Sequence, residues 1–296
     1  MDDVAAGTLL HACGLPSAWR ERAAWTVLDT AFSDGTHFLA TLKLWKDDSL
    51  APSMLHYVAI TSEALDVSTR FGLEEQTSQL RAQYGDMLPG LHRLSFESGR
   101  VLLTLCVGAL EPMLRELQLA ADCVYLGSHT WTLWGSKALA RCCKRGTRVV
   151  GVVADEAQRV SMRQCGFALS QAGTLATGHF DPPWPIKTTR QPARCESITP
   201  SHCIVIGAGL SGAAVAASLA RRGWHVQVLD QAPCPAGGAS GLPVGLALPH
   251  VSRDDSLLSR LSRSGLRLLL SEARTLLRQG QDWDATGALQ RRLDGA

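Results

Sequence analysis

The sequence predicts an α/β protein with two Rossmann-like parts, the second being the first part of a doubly wound nucleotide-binding domain. Three observations carry this. Short apolar runs alternate with helix-period segments over about residues 20–175. Prolines 182, 183, 185, 192 and 200 then crowd a polar stretch that reads as a linker. Immediately after it, residues 203–230 hold a complete βαβ pattern. The expected division is residues 1–177, a linker at 178–200, and residues 201–296.

The βαβ unit is the most informative stretch. Ile204, Val205 and Ile206 have the character of a buried parallel strand, and Gly207, Gly209 and Gly212 then fill the places of G-x-G-x-x-G. An alanine-rich helix follows, ending in Arg221, Arg222 and Gly223. His225 to Leu229 forms the second strand, closed by Asp230. Gly207 permits the tight turn, Gly209 lets backbone approach a pyrophosphate, and Gly212 lets the helix pack on the strand. The helix N-terminus offers free N–H groups, so Gly207, Ala208, Gly209, Leu210, Ser211 and Gly212 are candidate phosphate-binding residues. Asp230, 18 residues after Gly212, stands where an acid accepts from ribose hydroxyls and disfavours a 2′-phosphate. Such a glycine pattern is weak alone; the strand, helix and acid in register supply its context. The ligand is expected to be FAD or NAD. Beyond Asp230, the small-residue run from Ala236 to Gly245 adds Ala239 and Ser240 as candidate phosphate neighbours.

In the first part, Trp25 to Asp29 reads as a strand ending in an acid. A loop from Thr30 to Gly35 leads to a helix with Phe38, Leu39, Leu42 and Trp45 at helical spacing. Leu55 to Ile60 is a strand, with a helix able to begin at Thr61 to Leu65, and Leu73 to Tyr84 is a helix. Arg93 to Phe96 and Arg100 to Val107 pair about Ser98 and Gly99. Pro112 to Leu119 is a helix, Cys123 to Leu126 a strand and Lys137 to Lys144 a helix stopped by Gly146. Thr147 to Val153 is a strand and Ala157 to Cys165 a helix. Asp254 to Gln279 is an amphipathic helix with Asp255 and Ser256 as its cap.

Composition gives bounds. A length of 296 residues suits about two domains, and a net charge of +2 gives no pointer to nucleic acid. The nine cysteines show no C-x-x-C pair, no metal spacing and no disulfide framework, which suits a reducing compartment. No signal peptide or membrane span is read, so a cytoplasmic protein without metal or membrane partners is expected.

The order of these motifs resembles the bifunctional tRNA 5-methylaminomethyl-2-thiouridine biosynthesis proteins, across about residues 20–296 and most specifically from Ile204 to Gly245. In that family a methyltransferase dependent on S-adenosylmethionine (SAM) is fused to an FAD-dependent oxidoreductase. The oxidoreductase removes the carboxymethyl group from a modified wobble uridine of tRNA, and the methyltransferase then methylates the resulting amine. The resemblance therefore implies a Rossmann-like methyltransferase-type domain before the FAD-binding one, with FAD, SAM and tRNA as cofactors and partner. It also implies oxidation of the C–N bond, with glyoxylate lost on hydrolysis. No catalytic residue is assigned.

Both halves depart from the family pattern. The family's acid and G-F-G-x-G-x-N-F-L correspond to Asp29 and Ala31 to Leu39, so two of three glycines are lost, at Ala31 and Ser33. Ala31 and Ser33 add Cβ atoms near the cofactor's place, and Asp34 adds charge. The ribose acid is replaced by Thr61, with Glu63 displaced. The family's D-G-F-x-P-x-x-N-P-x-x-W loop is shortened to Leu126 to Trp134, where His129 reads as a solvated loop residue. His37 reads as a helix-surface residue. The first half is expected to be a degenerate scaffold, and the second, reaching only Ala296, a truncated or frameshifted product or a fragment.

Two other readings stay open. One is a non-catalytic module docking tRNA or a partner, favoured if Lys137, Arg141, Lys144, Arg145 and Arg148 form one basic face. The other is a small NAD-linked or glycine-oxidase-like amine oxidoreductase.

Overall fold

The protein is described from a computed structural model that covers residues 3–62, 71–84, 87, 89–172, 175–186 and 200–289. Helix α1 (Asp3–Ala12) leads to β1 (Ala24–Asp29), α2 (Thr36–Asp47), β2 (Met54–Thr61) and α3 (Glu74–Tyr84). Next come the hairpin β3 (Gly90–Phe96) and β4 (Val101–Val107), α4 (Leu110–Glu116), β5 (Ala121–Leu126) and α5 (Leu133–Arg141). Strand β6 (Cys143–Gly151), α6 (Glu156–Gln164) and the pair β7 (Phe167–Ala172) and β8 (Leu175–Phe180) complete one sheet. That sheet has eight strands in the order β3-β4-β2-β1-β5-β6-β8-β7. Strands β4, β2, β1, β5 and β6 run parallel, while β3 pairs antiparallel with β4, and β8 with β6 and β7.

The chain winds outward from β1 in both directions, with β2 on one side and β5 on the other. The crevice at the carboxyl ends of β1 and β5 is therefore the switch point where doubly wound sheets take ligands. Two-residue periodicity assigns the faces. Val27, Cys123 and Tyr125 enter the core beneath α1 and α2, whereas Leu28, Val124 and Leu126 enter the one beneath α4, α5 and α6. Phe38, Leu39, Leu42 and Trp45 are all buried, as their spacing predicts.

Several expectations are corrected. The helix expected at 137–144 ends at Arg141, and Lys144 to Arg148 belong to β6. The register between β5 and β6 jumps from Ala121↔Cys143 to Cys123↔Arg148, so the intervening residues bulge outward. Thr147 closes the bulge, its Oγ1 accepting from the Lys144 amide at 2.9 Å and donating to the Ala121 carbonyl at 2.5 Å. Gly146, at φ 84°, serves this bulge and is not a helix stop. The basic helix face dissolves accordingly: Lys144 pairs with Asp122 and Arg145 with Asp181, and Lys137 lies over the Trp134 ring. Cys13 and Cys123, 110 residues apart, form a disulfide joining the end of α1 to β5, a pairing their spacing does not signal. Cys106, Cys142, Cys143 and Cys165 are buried thiols. Burial, with Cys142 and Glu116 nearby, pushes the Cys106 thiol up to about 12. The helix that could begin at Thr61 falls largely, and Glu63 and Pro192 fall wholly, outside the described residues.

The C-terminal part contains β9 (His202–Ile206), α7 (Leu210–Ala220), β10 (His225–Leu229) and α8 (Leu257–Leu276). Strands β9 and β10 pair in parallel from His202↔His225 to Ile206↔Leu229. Among the described residues no third strand joins them. Ile204 is 60% and Ile206 87% exposed, although such a run reads as a strand covered on both faces. Helix α8 begins at the expected cap, Ser256 accepting from the Ser259 amide, and lies along β3. Glu272 of α8 pairs with Arg221 after α7 at 2.8 Å. Among the described residues no helix is long and apolar enough to cross a membrane.

Candidate functional site

In the C-terminal part, the predicted residues come together. Gly207 leaves β9 at φ 106°, in open space, and its amide donates to the Leu229 carbonyl at 2.7 Å. Helix α7 starts at Leu210 with Gly209 as its cap, so the amides of Leu210, Ser211 and Gly212 belong to its exposed first turn. A Cβ on Gly212 would overlap the Gly207 carbonyl oxygen, and one on Gly209 would lie 2.9 Å from Ser240 Oγ. Gly212 is therefore required by close approach to backbone, whereas a side chain at 209 would have to displace the Ser240 hydroxyl.

Asp230 braces this turn. Its Oδ2 accepts from the Ala208 amide at 2.6 Å and its Oδ1 from the Ala232 amide at 2.8 Å. These two backbone donors hold its carboxyl below the usual range. Ala239 opens a single helical turn, Ala239–Gly241, that sets Ser240 over the start of α7. Ser240 Oγ accepts from the Leu210 amide at 3.0 Å, a donor of the kind a phosphate oxygen takes. A further tie, not evident in the sequence, runs from the Ala236 amide to the Ala208 carbonyl at 3.0 Å. Ala236 sits at φ 60°, a conformation more usual for the glycines that follow it. The glycine turn, the acid and the serine thus form one cradle of amide donors with a carboxylate at its side. It suits a dinucleotide pyrophosphate and its neighbouring ribose.

The crevice of the eight-stranded sheet is built differently. Asp29, at the end of β1, is 1% exposed. Its Oδ2 accepts from Tyr57 Oη at 2.7 Å and its Oδ1 from the Ala31 amide at 3.0 Å. Thr30 fastens the β1 loop to β5: its amide and Oγ1 each donate to the Tyr125 carbonyl at 3.0 Å, and its Oγ1 accepts from the Gly127 amide at 2.9 Å. The side chain of Ala31 abuts Gly127, whose own Cβ would overlap it. His129 is exposed, as expected for a loop residue, and its Nε2 meets the Thr30 carbonyl at 2.8 Å. Ser33 sits at φ 42°, keeping a left-handed turn where a glycine would be relaxed. Asp34 Oδ1 accepts from the Thr36 amide at the start of α2.

His37 is not the surface residue expected from its helical setting. Its side chain is only 20% exposed, and its Nδ1 lies 3.5 Å from Asp29 Oδ2. Burial disfavours its charge, but the hydrogen bond and charge of Asp29, with Asp34, raise its pKa above the ordinary value. Tyr57 is fully buried, and its pKa rises through burial and the adjacent Asp29. Tyr57, Tyr125 and Thr30 are not among the residues that the sequence singles out. For the two tyrosines the signal is a polar-tipped aromatic in a buried strand, which needs an internal partner; Thr30, in a loop, carries none.

A family model described as FAD dependent oxidoreductase matches residues 202–292. The tRNA 5-methylaminomethyl-2-thiouridine biosynthesis bifunctional protein MnmC of Albidiferax ferrireducens is 50% identical, over 100% of this chain and 54% of that protein. Its counterpart in Polaromonas sp. is 46% identical, over 99% of this chain and 50% of that protein. The chain therefore spans about half the length of the curated relatives it matches. The crystal structure of MNMC2 from Aquifex Aeolicus shares 16% identity over 60% of this chain and 60% of that one, with a TM-score of 0.48.

Proposed function

Because the whole chain is homologous to about half the length of the bifunctional MnmC proteins, we propose that it serves the same tRNA wobble-uridine modification, with FAD as its cofactor. The supporting observation is the convergence of Gly207 to Gly212, Asp230 and Ser240 on one cradle. In this reading the amides at the start of α7 hold the pyrophosphate and Asp230 holds the ribose, while Ser240 exchanges the Leu210 amide for a phosphate oxygen. Bound FAD would supply an acceptor for the electrons of a substrate C–N bond. This segment orients the adenine-nucleotide end of the cofactor.

The N-terminal half is proposed as a methyltransferase-like scaffold, not a second catalytic centre. Ala31 packed on Gly127 and His37 set against Asp29 occupy the mouth of the switch-point crevice. A tRNA-directed role also places the protein in the cytoplasm. The docking-module reading loses its basic helix face to the β6 bulge. Relatives that match 99–100% of this chain favour the fused family over a small amine oxidoreductase.

Calorimetric titration with ADP, which carries the shared pyrophosphate and ribose, tests the cradle. Wild-type protein is expected to bind, and Asp230→Ala to weaken binding about tenfold or more. Equal binding by both, or none by either, would remove the assignment.

A further inference from the structure

The charge of Asp29 is matched from inside the chain. A buried carboxylate requires a partner. Here Tyr57 and the Ala31 amide donate to the carboxylate, and His37 Nδ1 faces the same Oδ2 that Tyr57 binds. His37 is held in place on several sides. Its ring meets the ring of Tyr125 from β5 edge-on at 5.9 Å, and its carbonyl accepts from Thr41 Oγ1 at 2.7 Å. Thr41 Oγ1 in turn lies 3.3 Å from Tyr125 Oη. The charged groups influencing the imidazole are Asp29 from β1 and Asp34 from the following loop, both anionic.

We propose that His37 is the built-in counter-ion of Asp29 and that it closes this crevice to ligands bearing an amino-acid ammonium group, SAM among them. The imidazolium satisfies the carboxylate that such an ammonium would otherwise meet, and Ala31 packs against Gly127 beside it. A protonated His37 competes with the ligand; a neutral one competes less, so exclusion weakens as pH rises through the elevated pKa of His37. This inference rests on reading the N-terminal half as a methyltransferase-like scaffold, and is independent of the FAD assignment.

Two measurements on the full chain test it. The first follows the His37 ring by NMR through a pH titration, in wild type and in Asp29→Asn. A midpoint that falls by about one unit or more in the variant is expected; an unchanged midpoint would overturn the pairing. The second measures SAM binding by equilibrium dialysis near pH 6 and near pH 7.5, where the ligand's ammonium is still largely protonated, in wild type and in His37→Asn, after thermal melts confirm folding. The wild type is expected to bind better at the higher pH, and His37→Asn to bind about tenfold tighter than wild type near pH 6. A variant that gains nothing would overturn the exclusion while leaving the scaffold reading intact. Tight wild-type binding near pH 6 would sink both.

Discussion

Asp29, Tyr57 and His37 show how one buried carboxylate reorganises its surroundings. Removing the Tyr57 hydroxyl leaves a charged acceptor short of a donor at a site that excludes water. Tyr57→Phe is therefore expected to lower stability by about 1.5–3 kcal/mol, measured by urea denaturation near neutral pH. His37 and His56 push the pH dependence in opposite directions. The folded pKa of His37 is raised, so its stabilisation is complete below the unfolded value near 6.5 and is lost as pH climbs through the folded value. His56 of β2 is the reverse case: burial, then the nearby Arg222 and Arg93, lower its pKa to about 4. The unfolded chain then takes up the proton first, and stability falls between about pH 6.5 and pH 4, by up to roughly 3 kcal/mol. Replacing His56 by Gln should flatten that acid limb in denaturation midpoints recorded across the range; an unchanged slope would contradict the burial argument.

At the scale of elements, the β1 loop carries a stored cost. Ser33 holds a left-handed conformation at φ 42° and is exposed, so Ser33→Gly should relieve strain without losing packing. A gain of about 0.5–1 kcal/mol is expected by thermal or denaturant unfolding. Other features of this loop were legible in advance. The strand ending in Asp29, the glycine at 35 and the apolar spacing of α2 all express local patterns of one or two turns. The same holds for β9, α7 and β10, where propensity, glycine placement and the closing acid agree. What local pattern does not encode is partnership across the sheet. His37 looks like a surface helix residue until β1 and α2 bring Asp29 beside it. Lys144 and Arg145 look like the end of a basic helix until Thr147 bonds to Ala121 of the neighbouring strand. Cys13 and Cys123 meet only once α1 packs on the central sheet. Helix α7 itself depends on Gly212: a methyl there would collide with the Gly207 carbonyl, so Gly212→Ala should displace the turn and abolish nucleotide binding.

For the whole molecule, the two parts differ in how well they bury their apolar surface. The eight-stranded sheet has a core on each face. Strands β9 and β10 leave Ile204, Ile206, Val228 and Leu229 exposed, and α7 adds Leu210 and Val215. Exposed apolar patches of this kind mark surfaces that function with a partner segment. The half of the relatives that this chain does not match is a candidate segment to test against this face. The most direct measurement is the visible absorption spectrum of purified chain after gel filtration with excess FAD, alone and mixed with the remaining half of the Albidiferax ferrireducens relative. A flavin band is expected to elute with the protein, stronger in the mixture and lost in both samples when Gly212 is replaced by Ala. A band that never co-elutes, or one indifferent to Gly212, would contradict it.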